Sequence, residues 1–137
     1  KLNHNLSICV VGEINDHIPK LPNVTKMHFV EYLNRVYSES RVAICPMLSG
    51  SGLKIKVVEA LSFGLPVVCN PRGIDGLINK TNNGCLVTED ATTFSKYIEQ
   101  LLTDKSFYQQ QQTLSENFFV NYLSVESVYL ELDKVFK

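Results

Sequence analysis

The sequence predicts an α/β domain, an open parallel sheet flanked by helices, with further helices gathered at the C-terminus. Three observations carry this. Short, nearly continuous apolar runs recur as far as Val87, the pattern of strands buried on both faces. Helix-like stretches separate several of these runs, as strand–helix–strand crossovers require. Beyond Val87 the strand signals stop and only helical periodicity remains.

The first run, Ser7-Ile8-Cys9-Val10-Val11, is stopped by Gly12. Val24 to Val30 is a second, less regular strand. Arg41-Val42-Ala43-Ile44-Cys45-Pro46, Pro66-Val67-Val68-Cys69-Asn70 and Gly84-Cys85-Leu86-Val87 are the third, fourth and fifth. Glu31 to Glu39 and Leu53 to Ser62 read as the intervening helices. Asp90 is suited to cap a helix over Ala91 to Leu102, with Phe94, Ile98, Leu101 and Leu102 on one face. Helical stretches follow near Ser106–Tyr122 and Val125–Phe136, and the tract Gln109 to Gln112 reads as a solvated face. No internal repeat or linker interrupts the chain, so residues 1–137 are expected to form a single domain.

Length and composition narrow the function. A chain of 137 residues suffices for one domain with its own core. Its 45% hydrophobic and 20% charged content is that of a soluble globular protein. A net charge of −1 argues against nucleic acid as a partner, although Lys54 and Lys56 make a local basic spot. No apolar run reaches the roughly 18 residues that span a bilayer, and the N-terminus has no secretory hydrophobic region. A cytoplasmic location is the expectation. Cys9, Cys45, Cys69 and Cys85 form no Cys-x-x-Cys pair and have no histidine at metal-ligand spacing, so all four read as buried thiols in a reducing compartment.

The most informative segment is Gly50-Ser51-Gly52 followed by the helix beginning at Leu53. A loop whose backbone approaches a ligand closely, leading into the positive end of a helix dipole, is a seat for phosphate. In open α/β sheets ligands bind outside the carboxyl ends of the strands. Those ends are Gly12-Glu13, Phe29-Val30-Glu31, Pro46 to Gly52, and Asn70 to Gly76. Within the helix, Leu53, Val57, Val58, Ala60 and Leu61 form an apolar stripe, while Lys56 and Glu59 share another face. Phosphate next to a carboxylate able to hold hydroxyls suggests a nucleotide or nucleotide sugar. The plain alternatives are a strand-to-helix turn, a solvated Lys54, and a Lys56–Glu59 surface pair worth roughly a few tenths of a kcal/mol. The segment fits neither the Walker A loop nor the dinucleotide fingerprint. Residue chemistry alone leaves both readings open.

Residues Arg41 to Gly76 closely resemble the donor-binding, C-terminal half of GT-B glycosyltransferases of group 1, family GT4. The resembling blocks are Val42-Ala43-Ile44-Cys45-Pro46, Gly50 through Ala60, and Gly64-Leu65-Pro66-Val67-Val68. Gly73-Ile74-Asp75-Gly76-Leu77 and Gly84-Cys85-Leu86-Val87 follow in the family's order, and weaker similarity extends from Ile8 to the C-terminal helices. The resemblance implies a Rossmann-like sheet and an enzyme that moves a hexosyl-type group from a nucleotide-diphosphate sugar to an acceptor hydroxyl, usually with retention. It implies that Glu59 holds the donor's ribose hydroxyls, and that Gly50, Ser51 and Gly52, with Leu53, face diphosphate and sugar. Lys56 would neutralise donor phosphate, with Lys54 a weaker candidate. Phe29 and Val30 would pack the nucleobase, with Gly12 and Glu13 on the same rim.

Two departures qualify the match. Ser51 stands where the first of the family's two motif glutamates falls, as in many members of the Gly-Ser-Gly-x-Lys-x-Lys branch. The chain also begins at what resembles the domain's second strand, so a fragment of a larger two-domain enzyme is expected. The N-terminal acceptor-binding domain would then be the absent partner, and the chain alone would catalyse little. The resemblance implies no metal and no cofactor besides the donor, leaves peripheral membrane association of the full enzyme open, and suggests polysaccharide assembly.

A non-catalytic α/β module that binds an anion or a partner through the same loop is the main rival. A sugar-nucleotide epimerase of similar shape is a second, but its carboxylate and histidine constellation is not evident. His4, His17 and His28 are scattered and read as surface or structural residues. Tyr32 and Tyr37 read as helix packing, Asp75 as a turn residue, and Arg72 as a weak phosphate candidate.

Overall fold

The computed structural model describes residues 6–136; His4 lies outside the described residues. The chain divides into two compact units, one ending at Glu39 and one starting at Ser40. Both are α/β, with small parallel sheets and helices, as the apolar runs predict.

In the smaller unit, β1 (Ile8–Val11) and β2 (Val24–Met27) pair in parallel, Ile8 opposite Val24 and Val11 opposite Met27. A 3-10 turn (Glu13–His17) follows β1, and α1 (Leu33–Glu39) follows β2. Asn15 ties that turn to both strands. Its buried Nδ2 donates to the carbonyls of Val10 (3.2 Å) and Met27 (2.8 Å). Lys26 Nζ donates to Asn15 O at 3.1 Å and also to Ile18 O, closing the connection from its other side. The sheet here is shorter and wetter than its apolar run suggests. β2 ends at Met27, not Val30, and alternates half-buried with exposed residues. Cys9 is exposed, because alternate side chains of a strand leave on opposite faces and this one leaves on an open face. Tyr32 precedes α1 and is exposed, so it does not pack the helix, whereas Tyr37 is half-buried.

In the larger unit, β3 (Ala43–Cys45), β4 (Val67–Cys69) and β5 (Cys85–Val87) form a parallel sheet in that order. Ala43 faces Val67, which faces Cys85. β4 is central and buried along its whole length, as its uninterrupted apolar run requires. α2 (Ile55–Ser62) makes the crossover from β3 to β4, and a 3-10 turn (Pro71–Ile74) leaves β4. α3 (Ala91–Thr103), α4 (Lys105–Phe118), a π-helical turn (Phe119–Leu123) and α5 (Val125–Phe136) complete the unit.

The core is built from Val57, Ala60 and Leu61 of α2, the β4 side chains, Leu101 of α3 and Phe118 of α4. Burying a leucine such as Leu61 or Leu101 contributes about 1.5–3 kcal/mol. Asp90 caps α3, its carboxylate accepting from the backbone N–H and the hydroxyl of Thr93, both at 2.7 Å. Asp104 caps α4 in the same way, accepting from Phe107 N at 2.9 Å.

Three expectations change here. α2 starts at Ile55 and Leu53 is exposed, so the buried stripe is Val57, Ala60 and Leu61, with Val58 half-buried. Gln111 is buried, its carbonyl accepting from Ser115 Oγ at 3.0 Å, so the glutamine tract is not a uniformly solvated face. The helix expected to reach Tyr122 changes to π geometry at Phe119. Cys45 and Cys69 are buried and Cys85 half-buried. A hydrogen bond with Cys69, together with burial, pushes the Cys85 thiol far above its ordinary range, so it stays protonated. Among the described residues, no helix is long and apolar enough to cross a membrane.

Candidate functional site

The loop Gly50-Ser51-Gly52 follows the carboxyl end of β3 and is exposed. Gly50 (φ 98°) and Gly52 (φ 74°) both occupy the left-handed half of backbone space, which side chains disfavour. The loop is held from behind by the turn that leaves β4. At Gly76, a Cβ would lie 2.5 Å from Leu53 N, 2.8 Å from Leu53 Cα and 3.0 Å from Gly52 C. Two stretches of main chain therefore meet where only hydrogen fits. A second tie comes from Asn70 at the end of β4, whose Nδ2 donates to Met47 O at 2.6 Å. Asn70 Oδ1 is buried and accepts no hydrogen bond among the described residues.

Lys54 is not a solvated lysine. It is 9% exposed, and its Nζ turns back to donate to Gly52 O at 2.7 Å. That bond fixes the last loop residue against the start of α2. Lys54 is also the N-cap, and no side chain caps the helix, so the positive end of its dipole is left for other anionic groups. Burial, and then the neighbouring Cys69, push the Cys45 thiol above its ordinary range, against the smaller downward pull of the Lys54 ammonium.

One turn along α2, Lys56 Nζ lies 3.1 Å from Glu59 Oε2. The spacing of three placed both on one face, as expected. The lysine side chain is 69% exposed and the glutamate 32%. An exposed pair of this kind is worth roughly 0–1 kcal/mol and is easily rearranged.

Gly12, Glu13, Phe29 and Val30 belong to the smaller unit. Gly12 N donates to Met27 O at 2.9 Å, which joins the carboxyl ends of β1 and β2. Glu13 is exposed, Phe29 is 85% exposed and Val30 is half-buried.

A family model described as "Glycosyl transferases group 1" matches residues 1–104. The chain belongs to that family. It is also similar to a protein of Haemophilus influenzae named "Uncharacterized glycosyltransferase", with 29% identity over 121 residues. The alignment covers 81% of this chain but 34% of the relative, so the chain spans about a third of that protein's length. The match to the group 1 glycosyltransferases runs through both units and includes the glycine loop, α2 and the turn at Gly76.

Of the remaining candidates in this member of the group 1 family, His17 and His28 are exposed, and His28 Nδ1 lies 3.9 Å from Asp16 Oδ1. Arg72 is exposed on the 3-10 turn, and Asp75 is half-buried beside Gly76. The sequence marks Asn70 to Gly76 as the carboxyl end of a strand but does not single out Asn70 or Gly76 within it. A Gly next to an Asp-containing turn was the available signal for one. The other gives no local sign, because its open acceptor is a product of tertiary packing.

Proposed function

We propose that this chain is the C-terminal, donor-binding domain of a GT4-type enzyme with a GT-B fold. In this reading it takes a nucleotide-diphosphate sugar and presents the glycosyl group for transfer to an acceptor hydroxyl, with retention at the anomeric carbon. The whole chain acts as one domain, and acceptor contacts come from a part of the enzyme outside this sequence. The observation that best supports it is the conjunction on one loop and one helix: positive-φ glycines, an uncapped helix N-terminus, and the Lys56–Glu59 pair.

Breaking the glycosidic bond sends negative charge onto the departing diphosphate. The loop amides and the α2 dipole are fixed before the reaction, so they favour the further charge that forms on the leaving oxygen more than the charge the diphosphate already carries while bonded to the sugar. Lys56 adds a mobile positive charge, since its exposed ion pair costs little to open. Glu59 accepts hydrogen bonds from the ribose hydroxyls, charge-assisted and directional. Lys54 takes a positioning part, holding Gly52. Asn70 Oδ1 offers one further acceptor at the carboxyl end of β4 for a hydroxyl or amide of the donor. Phe29 and Val30 supply apolar surface for the base, and Gly12 and Glu13 line its edge.

The test is a titration of the chain with UDP, GDP, ADP and their common sugars, followed by amide NMR shifts, beside Glu59→Ala. Saturable binding of one nucleotide is expected, with shifts over Gly50 to Glu59. The variant should bind at least about tenfold more weakly, the loss of one charge-assisted hydrogen-bond partner. Binding that ignores the Glu59→Ala change would reject the ribose assignment. No nucleotide binding at millimolar concentration would favour the non-catalytic module.

A further inference from the structure

We infer that the larger unit carries a second ligand site, for a neutral saccharide, in an asparagine-rich cleft between the loop that enters β5 and the π-helical turn after α4. The inference does not rest on the donor reading. The cleft has a volume of about 320 Å³ and is lined by Asn79, Thr81, Asn82, Asn117, Asn121 and Tyr122. That is near the lower end of the roughly 300–1,000 Å³ usual for small-molecule sites. Phe118 closes it from beneath, its ring 5.1 Å from that of Tyr122 at a 45° tilt.

The lining specifies the ligand class. Each amide both donates and accepts, as do the hydroxyls of Thr81 and Tyr122, which matches groups that also do both. Sugar hydroxyls are such groups. None of the lining side chains is charged, so the site gives an anion no counter-charge. Lys80, the nearest cation in sequence, is committed to Ile74 O at 2.7 Å. Among the described residues, no protein group is bonded to the side chains of Asn79, Asn117 or Asn121. All four asparagines are exposed, so their amides bond water that sugar hydroxyls can replace group for group, and the Tyr122 ring, 43% exposed, adds an apolar surface for the C–H face of a pyranose.

Backbone geometry on both walls supports a built site. Asn82 holds φ at 53°, the left-handed conformation that asparagine adopts more readily than most side chains, and this turns the loop so that it forms one wall. The opposite wall is the π-helical turn Phe119–Leu123, with Ser124 N donating to Phe119 O at 2.8 Å. Such turns give up regular helix bonding and recur at functional sites. Here the turn carries Asn121 and Tyr122 beside Asn117.

This site is distinct from the glycine loop. A Cβ on Gly84, which precedes β5, would lie 1.9 Å from Ser115 Oγ. One on Gly64, which precedes β4, would lie 2.8 Å from Glu116 Cγ. The end of α4 therefore sits at the amino ends of the strands, whereas Gly50 to Gly52 follow a carboxyl end. A sugar bound there would be held by the protein without entering the donor loop, as a docking point for a glycan.

The experiment is an amide NMR titration of the chain with glucose, galactose, N-acetylglucosamine and maltose, with glucuronate as the charged control. Saturable shifts are expected for at least one neutral sugar at millimolar concentration, confined to residues 79–82 and 117–123. Asn117→Ala with Asn121→Ala should weaken binding at least about tenfold, by loss of two hydrogen-bonding amides. Tyr122→Phe, which keeps the ring, should bind within a few fold of the parent. Glu59→Ala should leave the sugar affinity unchanged, which separates failure of this site from failure of the donor site. Variants are compared only after their circular dichroism matches the parent's. No saturable shift with any neutral sugar at tens of millimolar, or equal affinity in the double variant, would overturn the assignment. So would stronger binding of glucuronate than of every neutral sugar.

Discussion

At Gly76 the candidate site depends on the absence of a single carbon atom. The residue combines a φ of 80° with a Cβ position 2.5 Å from a backbone nitrogen, and main chain cannot rotate aside as a flexible side chain can. Gly76→Ala should therefore destabilise the chain by about 2–4 kcal/mol, conformational strain plus overpacking. Gly50→Ala is the contrast. Its φ is 98°, but a Cβ there meets only Met47 Cε at 3.9 Å, so the cost should be about 1 kcal/mol from backbone strain alone. Urea unfolding of the two variants decides it, and equal midpoints would mean the loop and the Gly76 turn are not in contact. The same comparison marks what the sequence discloses at this scale. The Lys56–Glu59 pair was legible because helical spacing fixes it. The burial of Lys54 and the approach of Gly76 to Leu53 were not, because each depends on how a non-repeating loop folds back.

At the scale of elements, legibility follows how local the cause is. Asp90 announced the start of α3 because an N-cap needs only its own side chain and the next turn. Hydrogen bonds from the Thr93 hydroxyl and backbone hold its carboxylate pKa below the ordinary value of 3.8. A depressed folded-state pKa means a stabilisation present above the unfolded value and lost as pH falls through the folded one. Asp90→Ala should accordingly lower the thermal midpoint at neutral pH, and the gap between parent and variant should close well below pH 3.8. Thermal melts monitored by circular dichroism at the two pH values test this, and a gap that persists in acid would assign the effect to something other than the ionised cap. By contrast, nothing local marks the change to π geometry at Phe119, where the aromatic and aliphatic pattern continues as for a helix. The exposed side of β1 was hidden as well. Ile8, Cys9, Val10 and Val11 read as one apolar run, yet Cys9 emerges on an open face.

For the whole molecule, the sequence shows which segments are strands but not which strands share a sheet, since apolar runs look alike in either setting. The distinction has an energetic consequence. Among the described residues, every buried apolar side chain lies at or beyond Cys45, in the unit that starts at Ser40. β4 is flanked on both sides and both its end residues are bonded to residues just outside β5, with Val67 N donating to Gly84 O and Thr88 N to Cys69 O. Among the described residues β1 and β2 pair with no other strand, and two strands without a buried face are marginal in water. Amide exchange should therefore fall into two classes. Amides of β4 should exchange only by global unfolding, and those of β1 and β2 by local opening, faster by on the order of a hundredfold or more. Hydrogen exchange with mass spectrometric or NMR readout resolves the classes. Matching protection in both, changing together with added denaturant, would mean that the two units unfold as one cooperative domain. In that case the surface of β1 and β2 is stabilised by more than their own pairing. Separate classes would instead make nucleotide binding a direct assay of coupling. On the proposed reading, inorganic pyrophosphate should slow exchange in the larger unit at Gly50 to Glu59. A nucleotide that also slows exchange in β1 and β2 would support the assignment of Phe29 and Val30, and unchanged exchange there would reject it.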